Sequence, residues 1–504
     1  MSGDSRKLVM PQTPDSPTPY ADAVERFARR ESLRLNVPGH SASTSAAPQL
    51  SQYFGEHTLL LDVQPLVAGI DKGPDSPLVQ SLELAAQAWG ARRTWFLTNG
   101  ASQANRMTAL AVAQLGSSQD VVIAQRSAHS SFVDGMILGG ITPCFIQPAI
   151  DTEHGINHGV SVENFAHAFS EQKNVKAAYV ISPSYFGAVA DIPALAQIAH
   201  EAGVPLIVDG AWGAHFGFHP EVPENPLRQG ADILISSTHK LGGSLGQSAM
   251  LHLGNGEFSE RLEPLIEGAF SLTQSTSASA LLLASLDIAR ESLQHGSDQI
   301  GRSIGAAHRL REAVRQHPLL DVVSDGFSQF PDIVTHDPLH VSIDIRKLGR
   351  SGTDIREALM SQFDIYLEIA TQSCIVAIVG PGMDFDSSEL INALEALADP
   401  DKAEVGVISI ASSLPTPGQM ILSPREAFFS PRELISAEAA IGRVSADSLA
   451  AYPPGIPNVM PGELITAEVV TFLQSIATGP GGYVRGAANS EVTDFWVVAD
   501  KPNK

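Results

Sequence analysis

Leu206-Ile207-Val208-Asp209 and Ile233-Leu234-Ile235-Ser236-Ser237-Thr238-His239-Lys240 are the two stretches on which the reading of this chain turns. Each opens as a short apolar run, the pattern of a strand buried on both faces, and each then breaks into polar residues. In an open α/β sheet, the carboxyl ends of such strands form the crevice where ligands bind. Asp209 follows the first run directly, and Lys240 follows the second after a short polar loop. Lysine seldom stays buried without a partner, so one entering that crevice calls for a chemical reason.

Working outward, further apolar runs predict strands over 94–97, 121–124, 144–146, 177–181 and 249–252. Helical spacing at 82–89, 103–115 and 192–202 falls between them. The alternation predicts an α/β domain with a mostly parallel central sheet. Long helices over 279–294 and 301–316 lead out of it toward a smaller C-terminal α+β domain. The expected division is an arm over 1–60, a large domain over 61–315 and a small domain over 316–504. The arm reads as extended, with one short helix near 21–30 and a break at Pro38-Gly39.

Composition limits the partners. With 32 basic against 55 acidic residues the net charge is −23, a surface that repels phosphate backbones and argues against nucleic acid. A hydrophobic content of 43% fits a globular chain. No apolar run approaches the roughly 18–20 residues of a membrane helix, and no signal peptide opens the sequence, so a cytoplasmic protein is expected. The two cysteines, Cys144 and Cys374, suggest neither a disulfide framework nor a thiolate metal site. His215 and His219 are four apart but read as loop histidines, and no metal is expected.

A Schiff base would explain Lys240, because an amine that attacks an aldehyde cofactor is activated by desolvation and nearby charge. Asp209 would then pair with a pyridinium nitrogen, making the ring of pyridoxal phosphate (PLP) an electron sink. Thr98-Asn99-Gly100-Ala101-Ser102 ends a strand and opens a helix, which leaves free backbone N–H groups for a phosphate. Ser102 and Ser237 each add a hydroxyl. His129, after the next strand, offers a flat ring for stacking or is a hydrogen-bonded loop histidine.

Together these residues resemble the bacterial ornithine/lysine/arginine decarboxylases, PLP enzymes of the aspartate-aminotransferase fold (fold type I). The likeness runs over about 36–465. It includes Val37-Pro38-Gly39-His40, Thr98 to Ser102, Arg126-Ser127-Ala128-His129, Ser182-Pro183-Ser184-Tyr185-Phe186-Gly187 and Asp209-Gly210-Ala211-Trp212-Gly213-Ala214-His215. Its most specific part is Ser236 to Lys240 with Thr273-Gln274-Ser275-Thr276-Ser277. Tyr452-Pro453-Pro454-Gly455-Ile456-Pro457 and Pro461-Gly462-Glu463 resemble the family's closing motif.

The resemblance implies that Lys240 holds the cofactor, Asp209 its ring nitrogen and His129 its face. Gly100, Ala101, Ser102 and Ser237 would surround the phosphate, His239 would stand beside the lysine, and Ala211 and Trp212 would line the pocket. It further implies a homodimer or larger homo-oligomer with a shared active site, into which Ser275 and Thr276 reach from a partner subunit. The reaction implied is decarboxylation of lysine, arginine or ornithine in polyamine biosynthesis, with Lys240 or His239 returning the proton. Glu368 is a candidate partner for the substrate's cationic tail.

Four positions depart from the family pattern: Ser41 stands where lysine is frequent, Ala101 where threonine is, Gly210 where an acidic residue is usual, and Trp212 where histidine is common. The sequence resembles the short form, without the receiver-like wing of longer members. Competing readings are a transaminase clamping its substrate with Arg425 or Arg443, a non-catalytic homologue, and a hydrolase elbow at Gly242-Gly243-Ser244-Leu245-Gly246, which lacks the expected helix.

Overall fold

A computed structural model describes residues 16–117, 120–399, 402, 404–405, 414–452, 455–479 and 482–500. Residues 1–15 of the expected arm, and Pro453 and Pro454 of the closing motif, lie outside the described residues.

Seven strands make the central sheet: β1 (Arg93–Leu97), β2 (Val121–Gln125), β3 (Thr142–Ile146), β4 (Val175–Ile181), β5 (Leu206–Asp209), β6 (Ile233–Ser236) and β7 (Ala249–Leu253). Their order is β1-β7-β6-β5-β4-β2-β3. β7 runs antiparallel to both of its neighbours, while β6-β5, β5-β4, β4-β2 and β2-β3 pair in parallel. A mostly parallel sheet needs cover on both faces, which is why β5 and β6 read as unbroken apolar runs. All four residues of each are buried.

The covering helices follow the expected spacing. α1 (Pro19–Ala28) packs against α2 (Pro77–Trp89) and against the later helix Ala280–His295. α3 (Gly100–Ala113) lies between α4 (Ser130–Gly139) and α5 (Ser259–Thr273), and two long helices, α6 (Ala280–His295) and α7 (Ser297–Gln316), lead out of the sheet domain. The Asp287 carboxylate accepts the N–H groups of Tyr20 and Ala21, fixing the start of α1. The arm holds more helix than expected. Pro48–Phe54 and Glu56–Leu61 are also helical, the first opened by Pro48 at a position where a missing N–H costs nothing.

Beyond α7 a four-stranded antiparallel sheet, β8 (Asp321–Val322), β9 (His340–Asp344), β10 (Ile369–Ala370) and β11 (Cys374–Ile378), pairs in the order β8-β9-β11-β10. Its core is continuous with one face of the central sheet. Residues 437–497 build a separate apolar cluster around Leu449, Ile465, Val469, Leu473 and Phe495.

Candidate active site

Asp209 ends β5 at the carboxyl edge of the sheet and is buried. Its Oδ2 accepts the Tyr179 hydroxyl at 2.7 Å and the Asn105 amide at 3.0 Å, and its Oδ1 accepts the Ala211 N–H at 3.1 Å. Tyr179 comes from the neighbouring strand β4 and Asn105 from α3, so the sheet and its covering helix jointly orient one carboxylate. Phe132 stacks on the Tyr179 ring at 3.7 Å between centroids. Burial, the charge of Asp209 and the hydrogen bond to it keep the Tyr179 hydroxyl firmly protonated. Gly210 has a packing reason, because a Cβ there would lie 2.7 Å from the Leu234 methyl Cδ1. An acidic side chain would force that contact apart.

Lys240 follows β6, as its sequence position requires. Its Nζ stands 3.7 Å from the centroid of the Trp212 ring, a cation–π contact made by one of the residues that depart from the family pattern. Burial drives the amine down from its ordinary 10.5 to about 8, against the pull of Asp209 and Glu368. The exposed carboxylate Glu368 therefore acts electrostatically on the same amine as the buried Asp209. Trp212 in turn meets Tyr185 and His340 edge-on. Behind it Asp337 bonds His340 Nδ1 at 2.7 Å and His215 Nε2 at 3.0 Å, all three side chains fully buried. His215 is thus a structural partner of Asp337 in the wall behind Trp212.

His239 Nδ1 donates to the Ser248 carbonyl at 3.0 Å and lies 3.2 Å from Ser237 Oγ. With the Nδ1 proton committed, Nε2 is the nitrogen left to take up or release one. Ser244 sits in an irregular turn before β7, where its hydroxyl accepts from Ser248 Oγ, and no helix follows it.

The turn after β1 opens α3 at Gly100, three residues earlier than the spacing suggested. Gly100 has φ +72°, a conformation side chains rarely adopt. Asn99 caps the helix without a side-chain bond, so the N–H groups of Gly100, Ala101 and Ser102 have no acceptor one turn back. This turn reaches the loop after Lys240, with Gln247 Nε2 3.5 Å from Asn99 Oδ1. His129 caps α4: its Nδ1 accepts the Ser131 N–H at 3.2 Å and lies 2.7 Å from Ser131 Oγ. Although the residue is exposed, desolvation by the surrounding chain lowers its pKa, and a backbone N–H pointing at Nδ1 requires that nitrogen to be unprotonated. The result is a neutral ring within electrostatic reach of both Asp209 and Lys240. Ser275 and Thr276 stand apart from this group, exposed on the turn between α5 and α6, where Ser275 Oγ accepts the Ser277 N–H.

A family model described as "Orn/Lys/Arg decarboxylase, major domain" matches residues 18–384, and one described as "Orn/Lys/Arg decarboxylase, C-terminal domain" matches 415–480. The chain belongs to the Orn/Lys/Arg decarboxylase family. Among curated relatives, an arginine decarboxylase of Bacillus subtilis is 33% identical over 460 residues, 90% of this chain and 93% of the relative. The constitutive lysine decarboxylase of Escherichia coli is 23% identical, covering 90% and 76%. Among solved structures, that E. coli enzyme superposes with a TM-score of 0.78 at 20% identity, over 96% of this chain and 82% of the other. Lysine decarboxylase A from Pseudomonas aeruginosa gives 0.79 at 21%, over 95% and 80%, which supports the shared fold.

In this decarboxylase the two arginines weighed for a transaminase clamp are engaged elsewhere. Arg425 donates to the carbonyls of Ile137 and Leu138 at the end of α4, and Arg443 to Glu433 and the Val498 carbonyl. A cavity of about 650 Å³ is lined by His129 and Tyr185 together with Asp447, Tyr452 and Arg485 from the C-terminal segment. Sequence reading missed Tyr179 and Asn105. The available signal was the Tyr179 hydroxyl inside the apolar run 177–181, whereas Asn105 lies among other polar residues of α3 and carried none.

Proposed function

We propose that the chain decarboxylates a basic amino acid, arginine first among the candidates, with PLP carried by Lys240. The observation that carries the reading is the half-buried Lys240, whose amine is lowered to about 8 by desolvation and set against the Trp212 ring, with Asp209 near enough to act on its charge. The residues fit the cofactor: a nucleophilic amine, an oriented carboxylate for a ring N–H, an uncapped helix start for the phosphate and a neutral imidazole for a ring face. Arginine is favoured because four curated relatives at 32–33% identity are named arginine decarboxylases, whereas those named lysine decarboxylases stand at 22–23%.

When bound, PLP supplies an electron sink for the pair left on the substrate α-carbon as carbon dioxide departs. The chain supplies the rest. A pKa near 8 leaves part of Lys240 neutral at neutral pH, so its nitrogen can act as a nucleophile without a separate base. Asp209, held by Tyr179 and Asn105, offers a fixed acceptor to the ring N–H. The walls around Trp212 and Tyr185 limit water at the reacting bond, and Lys240 Nζ or His239 Nε2 holds the proton that returns to the α-carbon. Glu368 would meet the cationic tail.

The same proposal includes a homodimer. Leu33, Leu35, Val37, Tyr53 and Phe54 leave large apolar surfaces exposed along the arm, Leu66 does so just beyond it, and Leu245 and Leu272 near the lysine loop and the Ser275 turn. Ser275 and Thr276 would reach a phosphate only across such an interface. Two free, well-separated cysteines suit a reducing cytoplasm, where polyamine synthesis would place the enzyme. The division at about residue 316 is supported by the two sheets, β1–β7 and β8–β11, which fall on either side of it.

The deciding experiment is product analysis of purified, PLP-loaded protein incubated with L-arginine, L-lysine and L-ornithine. Carbon dioxide and agmatine from arginine are expected. A keto acid formed only with a 2-oxo acid acceptor would replace this reading with transamination.

A further inference from the structure

Two motif residues take no part in the chemistry above. Arg126, three residues before His129, and Glu463, in Pro461-Gly462-Glu463, are 2% and 3% exposed. They form a bidentate ion pair: Arg126 Nη1 and Nη2 each lie 2.7 Å from one Glu463 carboxylate oxygen. Arg126 also donates through Nε to the Pro457 carbonyl at 2.7 Å and through Nη2 to the Asn458 carbonyl at 3.2 Å. Glu463 Oε2 further accepts the Met460 N–H at 2.9 Å. A planar guanidinium with this many fixed acceptors has little rotational freedom.

The contacts continue along α4. In its middle, Val133 and Ile137 pack with Met460 in a small apolar cluster. At its far end, Arg425 donates to the Ile137 and Leu138 carbonyls. One helix is therefore gripped near its start, middle and end by residues 425–463. The orientation of the His129 ring is tied to the start of that helix, through the Ser131 N–H and hydroxyl.

We infer that Arg126 and Glu463 are positioning residues, a latch through which the C-terminal segment sets the angle at which His129 meets the cofactor ring. The inference rests on the proposed reading of His129 as the stacking face. A latch that served stability alone would need no connection to this helix, whereas here three separate grips converge on the element carrying His129.

The test compares wild-type holoenzyme with Glu463→Gln, each well below its unfolding midpoint. Readouts are the visible circular dichroism of the bound cofactor, cofactor dissociation, and kcat and KM for arginine. Expected are an altered visible band, faster cofactor loss and a kcat lowered about 10- to 100-fold, the range that small misplacements produce, with a much smaller change in KM. A folded variant with a wild-type band and wild-type kcat overturns the inference, whatever its unfolding midpoint. If Glu463→Gln does not fold, Arg425→Met decides, since it frees only the far end of α4. The same spectral change with a kcat loss of about threefold supports the latch, and an unchanged band overturns it. Should the wild type bind cofactor but turn over no basic amino acid, the proposed function fails while the spectral comparison still tests the latch.

Discussion

Replacing Lys240 with methionine is expected to stabilise the cofactor-free protein at neutral pH. The amine falls from 10.5 to about 8 because burial disfavours its charge more than Asp209 and Glu368 favour it. At about 1.4 kcal/mol per pH unit, charged Lys240 costs the folded state about 3 kcal/mol. Below pH 8 the lysine is protonated in both states and this cost is present in full. Between pH 8 and 10.5 the folded protein gives up the proton first, the unfolded chain binds more protons, and stability rises with pH. Above 10.5 both states are neutral and the cost is gone. Methionine fills nearly the same volume without the charge, so the variant should exceed wild type by up to about 3 kcal/mol at pH 7. With an unfolding entropy of about 2 cal/mol/K per residue, that is about 3 °C for a chain of this length. The gap should close toward pH 10.5. Thermal and urea unfolding of both proteins without cofactor, at pH 7 and pH 10, measure it. A methionine variant less stable than wild type at pH 7, or a gap equal at both pH values, would refute the claim that burial sets the chemistry of this amine.

Three further substitutions bear on the site and its surroundings. Tyr179→Phe removes the 2.7 Å donor to Asp209 but leaves Asn105 in place, so a loss of about 1–2 kcal/mol in stability is expected, together with weaker cofactor binding; calorimetry and cofactor titration check both. Glu368→Gln should raise KM for arginine severalfold and, by removing a charge that favours the ammonium, move the lysine-dependent limb of the pH–rate profile to lower pH; unchanged kinetics would remove Glu368 from the site. His154 lies between Asp151 and Asp344, whose hydrogen bonds outweigh burial and push it up to about 9. Its contribution is complete below pH 6.5 and disappears as pH rises through 9, so His154→Gln should destabilise by about 2 kcal/mol or more at pH 6 and very little at pH 9.5.

The parts of the site that could be read from sequence are those whose signal is local. An apolar run ending in Asp209, a second ending in the loop to Lys240, and a glycine turn opening α3 each announce themselves within a few residues, because strand burial and helix starts are decided by near neighbours. The added helices of the arm were less legible, since Pro48–Phe54 and Glu56–Leu61 are short and the first has no buried residue to give its pattern a period. Tyr179 was legible only as an oddity, a hydroxyl in an apolar run, Asn105 lies among several polar residues of its helix, and their common target appears only when β4, β5 and α3 are assembled. Trp212 read only as a departure from the family pattern, and the fold sets its ring under the Lys240 ammonium.

The Arg126–Glu463 pair shows where local reading ends. Each residue belonged to a recognisable motif, but 337 positions separate them, and neither motif specifies the other's charge. Burying a single arginine or glutamate alone would cost several kcal/mol, so each residue is tolerable in the core only because the other arrives there. An isolated charge in an otherwise apolar or structured motif is therefore a sequence signal of a distant partner, although it does not name the partner. By that criterion Asp337, whose partner His215 lies 122 positions away, belongs to the same class, and so does Asp287, whose carboxylate accepts the N–H groups of Tyr20 and Ala21. The first backs the Trp212 wall and the second anchors α1. In these three cases the buried charge lies outside the reacting groups, at a place where separate stretches of sequence have to be brought into register.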